Sequence, residues 1–94
     1  MRWSYDSEMD ALYLWITAAP PAGQDELADG TIVDIDAAGE LAGIEVLGLK
    51  RGWSPTPVID RFGLGPDAAA AIVFVAGTLS GHPIAPSRAE AVLV

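Results

Sequence analysis

The chain has 94 residues, 13 acidic against 5 basic, a formal charge of -8 and no cysteine. That length suits one domain (1–94), which by area scaling buries about 64% of its unfolded surface. The charge weighs against a nucleic-acid surface, because such affinity comes from Lys and Arg releasing condensed counterions, and Arg2, Lys50, Arg51, Arg61 and Arg88 are few and scattered. The missing cysteine removes disulfides and thiolate metal centres.

Hydrophobic residues make up 51% of the chain and its mean hydropathy is +0.34, more apolar surface than one small globule hides. A homo-oligomer, most simply a dimer, is therefore expected. The longest apolar stretch, Ala68 to Leu79, falls short of the ~20 residues of a membrane helix, so no membrane association is expected. The order Met1-Arg2-Trp3-Ser4-Tyr5-Asp6 is not that of a signal peptide, which makes the cytoplasm the expected location.

Taken along the chain, Tyr5 to Asp10 carries acids at every second position and runs into an apolar strand from Ala11 to Thr17. Leu12, Leu14 and Ile16 point one way there, Ala11, Tyr13 and Trp15 the other. Both faces of that strand are sticky. Pro20 and Pro21 end it, because neither donates to a ladder, and Gln24 to Gly30 reads as a polar connection. Thr31 to Asp36 and Leu41 to Leu47 are the next strands. Asp36 caps a type I turn between them and Gly39 supplies its left-handed residue, which predicts pairing of positions summing to 76, Val33 with Gly43 and Ile32 with Ile44.

Beyond Gly48 the pattern changes. Lys50 to Pro55 is a loop; Thr56-Pro57 opens a short helix that stops at Gly63; Gly65-Pro66-Asp67 opens a second helix reaching about Leu79. Ile72 to Val75 also suits a strand, but four preceding alanines favour helix. Gly81-His82-Pro83 ends it, and Ile84 to Val94 is ambiguous. Strands first and helices after give an α+β domain: a β-meander of three to four antiparallel strands in 1–48, packed on C-terminal helices in 49–94. A helix apolar on nearly every side needs cover on more than one side, from a second copy or a second sheet.

These residues resemble a small bacterial family, domain of unknown function 2283. Its members open on Tyr-Asp-x-Glu-x-Asp-x-Leu-Tyr-Ile, matched at Tyr5, Asp6, Glu8, Asp10, Leu12 and Tyr13 with Leu14 in the last place. They continue with an Asp-x-x-Gly turn into Gly-Ile-Glu-Ile-Leu, matched at Asp36, Gly39, Gly43, Ile44, Glu45 and Leu47 with Val46 for isoleucine. The resemblance spans residues 1–48 and implies a β-meander with a C-terminal helical element and no established activity. It also implies an antitoxin-like role beside a small basic protein. The second half, with Lys50-Arg51-Gly52-Trp53 and its longer apolar tail, departs from the family pattern.

Several groups are chemical candidates. Asp6, Glu8 and Asp10, projecting from one face of a strand with Asp34 and Asp36 nearby, are oxygen ligands of the kind that holds calcium or magnesium. The same pattern reads as a charged edge resisting further pairing, which is preferred because glycine-punctuated ligand order is absent. Glu45, between Ile44 and Val46, is the candidate buried acid for a small enzyme, though a hydrogen bond to a neighbouring strand or an arginine partner such as Arg2, Arg51 or Arg61 is the preferred account. His82 with Ser54, Ser80 or Ser87 lacks nucleophile-elbow glycines. Gly63-Leu64-Gly65-Pro66-Asp67-Ala68 imitates a dinucleotide turn but lacks its strand and puts Asp67 where pyrophosphate would sit. Trp3, Tyr13, Trp15 and Trp53 are too many aromatics for one small core, which makes them candidate interface residues. The expectation is a non-enzymatic, self-associating interaction module without a cofactor, with divalent-cation binding as the alternative.

Overall fold

The computed structural model describes residues 1–81 and 88–92. Its strands are β1 (Arg2–Asp6), β2 (Ala11–Trp15), β3 (Gly23–Glu26), β4 (Ile32–Ile35), β5 (Leu41–Leu47) and β6 (Arg88–Val92). A short 3-10 turn (Leu49–Arg51), α1 (Thr56–Phe62) and α2 (Pro66–Gly81) lie between β5 and β6. The architecture is α+β, with one antiparallel sheet in the order β3-β4-β5-β2-β1-β6.

The sheet is wider than the three or four strands expected, and it is not the simple meander expected, because the chain leaves β2 for the far edge at β3 and returns so that β5 pairs with β2. Gly23–Glu26, read as a connection, is an edge strand with all four residues exposed, so no apolar alternation marks it. Arg2–Asp6 forms a hairpin with β2, and Arg88–Val92 closes the other edge against β1. The expected stop around His82-Pro83, and the rest of the tail outside β6, lie outside the described residues.

Period two sorts each strand between two faces. Tyr5, Leu12, Leu14, Val33, Ile44 and Val46 enter the core, met by Leu49 of the 3-10 turn, Val58 of α1 and Ile72, Val75 and Leu79 of α2. Pro57 in the first turn of α1 has no amide to leave unpaired, and Gly63 ends the helix at φ 59°, its N–H reaching the Asp60 carbonyl. The residues 72–75 are helical, and the core faces one side of α2 only. Among the described residues no helix is long and apolar enough to cross a membrane.

The β4–β5 register corrects the expected pairing. Ile35 faces Leu41, but Asp34 faces Gly43, Val33 faces Ile44 and Ile32 faces Glu45, a shift produced by an irregularity at Asp34/Ile35. That one-residue slip exchanges faces. Ile44 thereby enters the core beside Val33, while Ile32, Asp34, Gly43 and Glu45 turn to the face away from the helices.

Candidate functional site

The acids of the N-terminal motif are held by a turn, not displayed by a strand. Asp6 ends β1, and its Oδ1 accepts the amides of Glu8 (3.0 Å) and Met9 (3.3 Å), an Asx turn that reverses the chain. Asp10 closes the turn at φ 51°, a left-handed conformation that a short polar side chain tolerates. Its Oδ1 accepts the Tyr5 hydroxyl (2.6 Å) and its Oδ2 the Lys50 amide (2.8 Å). Its carbonyl accepts the amides of Gly48 (2.9 Å) and Leu49 (3.2 Å). Asp10 therefore ties the first hairpin to the 3-10 turn.

The expectation that Asp6, Glu8 and Asp10 share one strand face is overturned: Asp6 alone lies in a strand, and Glu8 is exposed in the turn. Among the described residues no group of three or more His, Asp or Glu side chains is arranged to hold a metal ion. Burial, then the hydrogen bond to Asp10 and the charges of Asp10 and Asp6, push the Tyr5 hydroxyl up to about 12.

A second lock crosses the open face of the sheet. The Tyr13 side chain leaves β2, passes over Gly43 of β5 and donates its hydroxyl hydrogen bond to Asp34 Oδ2 on β4; Asp34 Oδ1 accepts from Gln24 Nε2 of β3 (3.1 Å). A Cβ on Gly43 would stand 2.8 Å from Tyr13 Cζ and closer still to the hydroxyl oxygen. Gly43, expected just beyond the hairpin turn opposite Val33, is thus a gap in the strand that lets Tyr13 span three strands. Burial raises the Tyr13 hydroxyl well above its ordinary value, aided by the bond to Asp34 and the charges of Asp34 and Glu45.

Asp36 and Gly39 form the β4–β5 turn. Gly39 takes φ 82° and donates to the Asp36 carbonyl (3.0 Å), while Asp36 Oδ1 accepts the amides of Ala38 and Glu40, both at 2.9 Å.

The aromatic candidates do not form one patch. Trp3 and Trp53 pack against the core on the helical side, and Trp53 Nε1 donates to the buried Thr31 Oγ1 (2.9 Å). Tyr13 and Trp15 sit edge-to-face on the open side, ring centres 4.6 Å apart, with the Arg2 guanidinium 4.5 Å from the Trp15 ring. Glu45 lies half-buried on that open face rather than in a closed pocket, its neighbours across the ladders being Tyr13 and Ile32. Arg61, one of its suggested partners, instead joins Asp25 at 2.5 Å and holds that exposed carboxyl below its usual range. The Gly63-to-Ala68 segment follows α1 and opens α2, so no strand precedes it. His82 and Ser87 lie outside the described residues.

The apolar helix expected to need cover on more than one side is met by the sheet on one side only, which leaves Val73 53% and Phe74 63% exposed; neither residue was singled out in the sequence. The absence of any charge between Ala68 and Ser80 signals an apolar helix, but not which side the sheet leaves uncovered.

These features define an α+β domain: an antiparallel sheet locked by two tyrosine–aspartate bonds and backed by helices on one face. The chain belongs to the family described as Protein of unknown function (DUF2283), whose model matches residues 2–50, from β1 into the 3-10 turn. No curated protein and no solved structure matches it.

Proposed function

We propose that this chain is a non-enzymatic protein-interaction module that works as a self-associated unit. The observation that carries the reading is the outer side of α2, where Val73 and Phe74 stand exposed on a helix without a charge from Ala68 to Ser80. Large apolar side chains kept in water cost free energy that contact with another protein recovers. Light scattering at micromolar concentration tests it: a mass above the 9.8 kDa of one chain is expected, and a monomer throughout would refute it.

A finer reading, the neutralising partner of a small basic protein, is supported by the open face of the sheet. By register Asp6, Glu26, Asp34 and Glu45 share that face with Arg2. Such a surface steers a cationic partner and loses its pull as salt rises. Titration with an oligolysine peptide should give salt-sensitive binding that Glu26→Lys with Glu45→Lys abolishes; binding unaffected by either salt or charge reversal would remove this reading.

A further inference from the structure

We propose that the outer face of α2 docks against the same face of a second copy of this chain, with Phe74 of each protomer seated in a groove between Trp53 and Gly77 of the other. The inference rests on the self-association proposed above and specifies its surface.

Helix geometry sets up the face. Ile72, Val75, Ala76 and Leu79 turn inward and are buried, which at 3.6 residues per turn leaves Ala70, Val73, Phe74 and Gly77 along the outside. Phe74 is the projection. The depression lies beside it, a cavity of about 270 Å³ with Trp53 and Pro55 on one wall and Val73, Gly77 and Ser80 on the other. A Cβ on Gly77 would meet nothing within 4 Å, so the groove is open where that side chain is missing. Its volume is below the ~300–1,000 Å³ of pockets that enclose drug-sized ligands and suits one side chain.

Self-complementarity follows from the spacing. In a two-fold contact residue i meets j and j meets i. Projection and depression stand about one turn apart on the same helix, so an antiparallel crossing between Phe74 and Gly77 fills both grooves at once. Small residues at Ala70 and Gly77 let the two axes approach within the ~8–10 Å of packed helices.

Charge selects the occupant. Each copy carries -8, and most of its acids lie on the open face of the sheet and in the turns. Two unit charges of like sign cost about 1 kcal/mol at 4 Å even in water. From Ala68 to Ser80 the outer α2 face, like the Trp53–Pro55 wall, carries no ionisable group, and the exposed Asp67 stands about 10 Å along the axis before Phe74, so at the crossing two copies meet without repulsion and a basic partner gains nothing. The uncharged stretch of the helix, about 20 Å long and ~10 Å wide, is smaller than a standard interface even with the Trp53–Pro55 wall beside it, so the association is weak. A micromolar, concentration-dependent dimer is the consequence.

Sedimentation of the full chain over a micromolar concentration series tests the docking. The wild type should pass from monomer to dimer and stop there. Phe74→Glu should raise Kd at least ~30-fold, the size of a hot-spot loss, and Gly77→Glu, which fills the groove, should do the same. Both sites face water, and thermal melts should show folded monomers. Met9→Glu, in the exposed β1–β2 turn, and Leu47→Glu, on the opposite face, should dimerise like the wild type. A wild type that stays monomeric overturns both this docking and the self-association it rests on. A dimer unmoved by Phe74→Glu and Gly77→Glu, or weakened equally by the two control substitutions, overturns the docking alone. A mass that climbs past the dimer overturns the two-fold arrangement.

Discussion

Gly43→Ala should destabilise this protein although alanine is a better strand residue than glycine. The added Cβ would lie 2.8 Å from Tyr13 Cζ and press on the hydroxyl oxygen and, at 3.3 Å, on the Leu14 carbonyl. The ring must lift, and Tyr13 then loses its bond to Asp34. A hydrogen bond to a charged acceptor contributes about 1.5–3 kcal/mol, and relieving glycine's chain entropy returns about 0.5–1 kcal/mol. The net loss is about 1–2 kcal/mol, which in a domain of this size lowers Tm by roughly 5–15 °C. Urea and thermal unfolding of Gly43→Ala, Tyr13→Thr and the double variant measure it. In the Tyr13→Thr background the clash with the ring is gone and only the 3.3 Å contact with the Leu14 carbonyl remains, so Gly43→Ala should cost far less or nothing, a difference that defines the coupling. An unchanged or raised Tm for Gly43→Ala in the wild-type background would refute the account of Gly43 as the gap beneath Tyr13.

The Tyr5 hydroxyl, raised to about 12 from 10, favours the folded state while protonated. That contribution is intact below pH 10 and lost as pH rises from 10 through 12. Urea midpoints across this range should fall more steeply for the wild type than for Tyr5→Phe, and parallel curves would refute it. Asp10→Ala removes the acceptor for Tyr5 and Lys50 and leaves a Cβ residue at φ 51°, so a loss of about 3 kcal/mol is expected. Asp10→Asn, which tolerates that conformation and still accepts one bond, should lose less; equal melts for the two would refute the role of the side chain. Calcium or magnesium at millimolar concentration should shift Tm no more than sodium of equal ionic strength. A site at a hundredfold excess over Kd would add about 2.7 kcal/mol, so a divalent-specific rise abolished by Glu8→Gln would contradict the turn-bound reading of Asp6, Glu8 and Asp10.

Elements with a buried and an exposed side were legible in the sequence. Leu12 and Leu14 in β2 and Val33 in β4 alternate, Pro57 and Gly63 bracket α1, and Gly39 marks its hairpin. β3 was not legible, since Gly23, Gln24, Asp25 and Glu26 are exposed on both faces and carry no period. The first turn was misread for the opposite reason: Asp6, Glu8 and Asp10 have a strand's period of two, but their partners are the amides of Glu8, Met9 and, 40 residues beyond Asp10, Lys50. No local pattern encodes a contact at that separation. Gly43 belongs to the same class, because its purpose appears only once the shift at Asp34/Ile35 has set it between Tyr13 and Asp34.

The acids most suggestive of chemistry are those the fold already uses. Asp6 serves two turn amides, Asp10 serves Tyr5 and Lys50, Asp34 serves Tyr13 and Gln24, and Asp36 serves two amides of its hairpin. A carboxylate so engaged has few lone pairs left, and a cation drawing on them would compete with the turn that positions it. The motif by which the family is recognised therefore specifies how the sheet is built. What the scaffold leaves to other molecules lies outside the two locks: the uncharged side of α2 behind the sheet, and Glu26 and Glu45 on its front. Those two surfaces face opposite ways, so a dimer formed through α2 would leave both acidic sheet faces open, and one assembly would offer a basic partner two copies of the same front.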